Sequence, residues 1–580
     1  MRTKIFTVVL LGCLQIPANQ VRAATADLIL HHGKIVTVNK QFLVTEALAV
    51  AGGRVLFAGS NDAALKFKGA STEIIDLQGK MILPGLIDSH THPTGASMIE
   101  FDHPIPDMES IGDVLDYIRA RTKVVPAGDW IQVRQVFITR LREQRYPTRA
   151  ELDGVAPRHP VIFSTGPDAS LNTPALKLSG IDKDFKVTDG GSGFAERDPA
   201  TGEPTGILRN ATRFVKTKTS GRSASDTDSA NRLLELFRDY NSVGLTSVCD
   251  RDASLPAIAL YKKLREAGKL TVRLSISQDI ASLGAMTDLQ ANIRRVAADP
   301  LFKNHDDMLR IIGIKTFLDG GMLTGSAYMR EPWGVSEIYS ITDPKYRGVL
   351  FIPHDRLLPM VRTAIESGLQ FTAHSVGDGA VHALLEVYEE IAKEMPIRAT
   401  RPCITHANFM SEEAVAKLAT LGVVVDIQPA WLYLDTRTLQ KQFGYDRLRW
   451  FQPLHSIFAA GAMAGGGSDH MQKIGSLRSI NPYNPFLGMQ TAITREARWH
   501  EGKLHPEEAL SREEAVRFYT INNAYLLFKE TEAGSLEPGK LADFIVLDTD
   551  LLQCPVHDIV KTRVLRTYLG GKLVYSPNEK

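Results

Sequence analysis

Cysteine is scarce in this chain, with 4 in 580 residues. Cys13 lies in an N-terminal apolar run, and without that run Cys249, Cys403 and Cys554 remain, an odd set that argues against a disulfide framework. Cys249 and Cys403 sit in apolar, β-branched runs and are expected as small buried hydrophobes. No block of like charge is present: 67 Lys and Arg stand against 66 Asp and Glu, for a formal net charge of +1. Nothing here attracts nucleic acid. There is no internal repeat and no low-complexity tract. The apolar run Ile5 to Ile16 is too short to span a membrane, so no stable span is expected.

That run has another use. Arg2 and Lys4 precede it, and Val21-Arg22-Ala23 places small residues before Ala24, so residues 1–23 read as a secretory signal peptide and the protein as periplasmic or secreted. Leu10-Leu11-Gly12-Cys13 is similar to a lipoprotein cleavage site, but Leu11 is bulky and the leader would be very short, which weighs against a lipid anchor. Loss of Arg2, Lys4 and Arg22 moves the formal charge from +1 to −2. With 44% hydrophobic residues the chain can build a large globular core.

The most informative stretch is Leu83-Pro84-Gly85-Leu86-Ile87-Asp88-Ser89-His90-Thr91-His92-Pro93. It reads as one apolar strand ending in His-x-His, and residues i and i+2 of a strand share a face, so both imidazoles can meet one ion. A lone His-x-His is more often a pair of ordinary surface histidines. Further apolar runs recur at 244–249, 271–277, 311–317, 369–374, 401–406, 423–428 and 462–469. Between them lie helix-period segments at 257–267, 355–367, 380–392 and 412–420. With the strand before His90 they make about eight βα units, which predicts an α/β fold, a (β/α)₈ TIM barrel. The last run is the least regular, since three glycines weaken a strand, although they also permit close backbone approach beside a ligand.

Barrel enzymes place chemistry where strands end. His90 and His92 close the first predicted strand, Lys315 lies near the end of the fourth, His374 closes the fifth, His406 the sixth and Asp469 the eighth. Each has a plain reading alone: Lys315 as an ion-pair partner of Asp319, His374 and His406 as hydrogen-bonded core histidines, Asp469 as a helix cap. Six such residues at one barrel mouth are not explained by six separate accidents.

These motifs resemble the amidohydrolase superfamily of metal-dependent hydrolases, and most closely the branch containing N-substituted formamide deformylases. The resemblance is carried by 84–92, Gly206-Ile207-Leu208-Arg209, 314–320, Ala373-His374-Ser375-Val376-Gly377-Asp378, Thr405-His406-Ala407, Gln428-Pro429, Gly467-Ser468-Asp469 and 534–543. It implies a hydrolase of C–N bonds other than peptide bonds, acting on a small-molecule amide such as an N-acyl or N-formyl amide. It further implies two divalent metal ions, with zinc suited to imidazole and carboxylate ligands. His90, His92 and Asp469 would hold the first, His374 and His406 the second, and Lys315, N6-carboxylated, would bridge them. Asp469 would also be the catalytic residue that moves the proton. Sister activities, hydrolysis of cyclic amides or esters or hydrolytic deamination, stay open, as does an exported binding or regulatory protein that keeps its histidines for metal-dependent stability.

Three positions depart from the usual pattern: Thr405 where glutamate is frequent, Gly379 where a bulkier residue often stands, and His470 after Asp469. His470 can hydrogen-bond substrate or Asp469, or be an ordinary surface histidine. Residues 94–232 are too long for a barrel loop and read as an inserted subdomain covering the site and selecting the substrate. Within it Arg209, His103 and Asp168 can reach substrate, or form surface ion pairs. The loop 319–326 is glycine-rich enough to act as a lid. Alternating strands at 24–80 and 530–580 are expected to form one small β-sandwich from both termini, around a barrel of 81–529. A homo-oligomer is compatible with all of this.

Overall fold

A computed structural model describes residues 25–134, 136–218 and 221–577. The predicted signal peptide lies outside these residues.

Eight strands form one sheet in the order of the chain: β1 (Leu86–Thr91), β2 (Leu245–Ala253), β3 (Arg273–Asp279), β4 (Leu309–Phe317), β5 (Gln370–Ser375), β6 (Cys403–His406), β7 (Val424–Ile427) and β8 (Met463–Gly466). Every neighbouring pair is parallel. Parallel strands are covered on both faces and so read as near-continuous apolar runs. Their helices pack outside, as with Leu255–Glu266, whose first turn is capped by Ser254, and Asp378–Ala392. β8 returns to β1 just beyond its last residue. Thr91 bridges His470 in parallel, and the amide N–H of Asp469 donates to the His90 carbonyl at 2.8 Å. The barrel seam therefore runs through the predicted site.

The glycines of β8 have a different task from the one expected. A Cβ on Gly465 would lie 2.0 Å from Asn523 Oδ1, and one on Gly467 would lie 2.9 Å from the His90 Cβ. Asn523 bridges the seam by donating to the carbonyls of Ile87 (2.5 Å) and Gly466 (2.7 Å). The close approach seen is to Asn523 and His90 of the protein itself.

The run 83–92 is two strands. Met81–Pro84 pairs with Lys34–Val36 and Phe544–Leu547 in a six-stranded sheet outside the barrel, and β1 begins after Gly85. This second sheet is completed by Val44–Thr45, Val564–Leu569 and Lys572–Tyr575, while Leu28–His31, Ala47–Ala51, Arg54–Gly59 and Glu73–Asp76 form a four-stranded sheet. Leu30, Leu48 and Val50 of the latter share an apolar cluster with Ile82, Phe544 and Tyr568 of the former.

Between β1 and the helix Asp226–Ser242 the chain folds into its own five-stranded sheet, Ile131–Val133, Val161–Ser164, Ala169–Leu171, Phe194–Arg197 and Pro204–Arg209. Arg140 of this region ion-pairs with Asp435 of the helix Pro429–Phe443 at 3.0 Å. The segment 318–352, after β4, has no long helix or strand; its Met322, Trp333 and Tyr339 are buried with Phe163 and Ile207 of the insertion. Among the described residues, Cys249 and Cys403 are buried and no helix is long and apolar enough to cross a membrane.

Candidate metal centre

Strand alternation turns His90 inward, and His92 follows where β1 ends and the helix Pro93–Met98 begins. Their Nε2 atoms are 3.2 Å apart, and Asp469 Oδ1 lies 3.2 Å from His90 Nε2 and 3.1 Å from His92 Nε2. Two nitrogens held by one zinc at its usual bond length are about 3.3 Å apart in tetrahedral geometry. These three donor atoms thus fit a single divalent ion. Asp469 and His406 both carry left-handed backbone, φ 54° and 76°. Non-glycine residues hold such conformations at a cost, and functional sites are where that cost concentrates.

His406 closes β6, its ring centroid 4.9 Å from that of His90 and 4.5 Å from that of His374. Trp431 stacks on its other face at 4.9 Å. Lys315 is buried on β4, with Nζ 4.8 Å from the Phe317 ring centroid. It is not the partner of Asp319. That carboxylate accepts instead from the backbone N–H groups of Tyr328 (2.9 Å), Val376 (3.0 Å) and Gly377 (2.9 Å). Nor does Asp469 cap a helix, since its other oxygen accepts from Asn481 Nδ2 at 3.2 Å.

The electrostatics suit metal ligation. Burial, followed by the charge of Lys315, holds His374 at about 3 and His90 well below the ordinary imidazole value. His406 is likewise depressed, by burial and then by His374. These rings are neutral and have a lone pair to offer. Burial also works against a charge on His92, but the hydrogen bond and charge of Asp469 outweigh it and raise that ring. Burial raises Asp469 against the pull of His92. Asp250, 3.9 Å from His92 Nδ1, is pushed by burial to about 6.

All six predicted residues line one cavity of about 770 Å³ at the barrel mouth. Phe137, Thr165 and Arg213 of the insertion roof it, and Asp252, Asp279 and Trp431 add to its wall.

The four further substrate candidates lie elsewhere. His470 is fully buried, neither in the cavity nor on the surface, because the seam at Thr91 turns its ring toward the helix Asp226–Ser242. There it pairs with the Tyr240 hydroxyl at 2.8 Å and the Lys473 carbonyl at 2.9 Å. Arg209 and Asp168 are not surface ion pairs either. Arg209 is buried, binds Glu196 Oε1 through Nε at 2.6 Å, and donates to the carbonyls of Thr324 and Tyr339. Asp168 lies 3.8 Å from it and takes the Ser326 hydroxyl. The loop 319–326 is thereby clasped to the insertion through Thr324 and Ser326. His103 sits near the surface between Asp102 and the Tyr117 hydroxyl, both at 2.8 Å.

Asp426 is not among the residues expected from the sequence, and Gln428 stands there only in the motif Gln428-Pro429. Both are buried on or beside β7 and touch the histidines, and a carboxylate inside the run Val423-Val424-Val425-Asp426-Ile427 was the available signal, because a buried acid needs partners.

A closed parallel barrel with neutral histidines and a carboxylate converging beyond its strand ends defines a barrel enzyme with a metal-ligating mouth. More narrowly, the chain belongs to the amidohydrolase family, whose model matches residues 73–575. The N-substituted formamide deformylase of Arthrobacter pascens is 28% identical over 562 residues, covering 95% of this chain and 98% of that protein. Protein LONG AFTER FAR-RED 3 of Arabidopsis thaliana is 27% identical over 567 residues, covering 95% and 92%. An uncharacterized metal-dependent hydrolase from Pyrococcus horikoshii OT3 superposes with a TM-score of 0.65 at 22% identity, covering 91% of this chain and 99% of that one.

Proposed function

We propose that this protein is an exported hydrolase that cleaves the C–N bond of a small non-peptide amide of the N-acyl or N-formyl class. The observation that carries the reading is the convergence of His90 Nε2, His92 Nε2 and Asp469 Oδ1 within 3.2 Å at the floor of a roofed cavity. A structural metal needs neither an open side nor a substrate-sized chamber. The similarity to a formamide deformylase along nearly the whole chain favours an amide over other substrates of such sites.

Two divalent ions, with zinc the best match to the donors, are assigned to His90, His92 and Asp469 and to His374 and His406. Lys315, if its Nζ added to carbon dioxide and lost a proton, would become an anionic carbamate able to serve as a further ligand. Bound ions would supply a Lewis acid for the carbonyl oxygen and acidify the attacking water. The protein does the rest. Asp469 would take up a proton at its carboxylate during attack and deliver it to the departing nitrogen, a transfer for which its burial-raised affinity is suited. Phe137, Leu323 and Trp431 give the cavity apolar wall segments against which the substrate would pack. The sheets from both termini are read as one composite β-sandwich with a stabilising role, and residues 1–23 as the export signal.

Elemental analysis of the purified mature protein, with a screen of N-formyl and N-acyl amides, tests this. Two metals per chain and amide turnover abolished by chelation are expected. Lys315→Ala should lose the second metal and at least about 100-fold in rate. A Lys315→Ala enzyme with two metals and full activity would overturn the bridging role, and a protein that takes up no metal would overturn the hydrolase.

A further inference from the structure

The nitrogens of His90 and His406 that point away from the cavity lead to one carboxylate. Asp426 Oδ1 lies 3.1 Å from His90 Nδ1 and accepts from Gln428 Nε2 at 3.0 Å. Gln428 Oε1 in turn lies 2.8 Å from His406 Nδ1. The other oxygen, Oδ2, meets Arg251 Nε at 3.3 Å and the Thr405 hydroxyl at 3.3 Å. Arg251 is itself buried and donates to the Ser89 carbonyl at 3.0 Å and to Gln370 Oε1 at 2.6 Å. Everything in this chain of contacts is closed to solvent, with Asp426 and Gln428 both at 0% exposure.

On the side away from the cavity, donor and acceptor identities then follow from the partners, while on the cavity side Asp469 Oδ1 is shared with His92 Nε2. Arginine has no acceptor, so an oxygen must face it. A carboxylate offers acceptors at both positions, so the His90 nitrogen facing it is the one that carries hydrogen. The same oxygen requires the amide nitrogen of Gln428, which fixes the orientation of that side chain and leaves its carbonyl to His406. His406 must also carry hydrogen on Nδ1. In both rings Nε2 is left with a free lone pair, and in His90 that atom is the one 3.2 Å from Asp469.

We propose that Asp426 is a positioning residue which sets the tautomer of both His90 and His406, directly at the first and through Gln428 at the second. It rests on the proposed assignment of those rings as metal ligands, and it adds a physical link between the two proposed ligand sets. Partners behind a metal-ligating histidine hold its ring and its free lone pair in place, and losing them typically costs about 10–100-fold in metal affinity.

The isosteric change Asp426→Asn is informative because Arg251, a cation with no acceptor whose Nε–H goes to the Ser89 carbonyl, favours an oxygen over an N–H opposite it. The new amide must turn its oxygen to Arg251 and its nitrogen to His90, which then has to accept at Nδ1 and hold its hydrogen on Nε2. Gln428 is forced to turn as well, reversing His406. By contrast, Gln428→Leu removes the contact to His406 alone.

The test uses full-length, metal-free protein labelled with ¹⁵N-histidine, whose two-bond ¹H–¹⁵N spectra report each tautomer, followed by Zn²⁺ affinity from chelator competition. Nδ1–H is expected at both rings in the wild type, Nε2–H at both in Asp426→Asn, and a change confined to His406 in Gln428→Leu. Zn²⁺ binding should weaken about 10–100-fold at both sites in the first variant and at one site in the second. Nε2–H at either ring in the wild type, unchanged tautomers and Zn²⁺ affinity in Asp426→Asn, or equal effects of Gln428→Leu on both rings would overturn the proposal. The expected tautomer changes in a protein that takes up no Zn²⁺ would support the positioning and refute the metal reading instead. If Asp426→Asn does not fold, the confinement of the Gln428→Leu effect to His406 decides alone.

Discussion

Single side chains separate what a sequence announces from what it hides. His90, His92, Lys315, His374, His406 and Asp469 were visible because chemistry-bearing residues stood at the ends of apolar runs, and all six line one cavity. His470 was equally conspicuous in sequence, yet its ring points to Tyr240, since no one-dimensional pattern says which way a side chain leaves a barrel seam. Lys529 was not conspicuous at all. It is 1% exposed, donates to the Asp307 carbonyl at 3.1 Å, and is held at about 8 by burial and then by Arg273 and Arg310. A lysine depressed in the fold and free near 10.4 when unfolded gives its full contribution above about pH 10.4 and loses it as pH falls toward 8. Lys529→Met is therefore expected to raise the thermal midpoint at pH 7, by up to about 3 kcal/mol of stability, and to lose this advantage near pH 10. Melting curves from pH 7 to 10 check it; an advantage that does not change with pH would rule the explanation out. Asp469→Asn should keep the fold and lose about 100-fold or more in amide turnover, measured beside its metal content.

At the scale of elements, hydrophobic period worked well wherever a strand was buried on both faces. The predicted helix over 380–392 is Asp378–Ala392, and the run 423–428 is Val424–Ile427. It failed at 83–92, where an unbroken apolar run serves two sheets. Gly85 is the joint. A Cβ there would sit 2.1 Å from Thr246 Oγ1, and its N–H donates to the Asp543 carbonyl at 2.9 Å. Gly85→Ala should therefore cost about 1–3 kcal/mol by overpacking, and Thr246→Ala should restore part of that loss. Unfolding of the two single variants and the double variant measures the coupling, and strictly additive effects would show that the clash is not the cause.

For the whole molecule, the notable device is the clasp between insertion and barrel. Arg209 reaches from the insertion to the carbonyls of Thr324 and Tyr339, with Glu196 and Asp168 beside it. Replacing it with Met would strand two acids in a buried setting, at a cost of about 3–5 kcal/mol, and release the segment 318–352. Limited proteolysis of Arg209→Met should cut within that segment while the wild type resists. Equal resistance would show that the apolar contacts of Trp333 and Tyr339 suffice without the guanidinium.

Local order in the chain determined the barrel, its approximate strand and helix positions, and the six residues at its mouth. Period, turn residues and strand ends are all written along one dimension. Tertiary structure alone decided that the apolar run divides at Gly85, that Arg209 and Asp168 clasp a loop away from the cavity lining, and that Asp426 stands behind two histidines. The physical reason is distance along the chain. His90 and Asp426 are 336 positions apart in sequence and 3.1 Å apart in space, and only closure of the sheet brings them together.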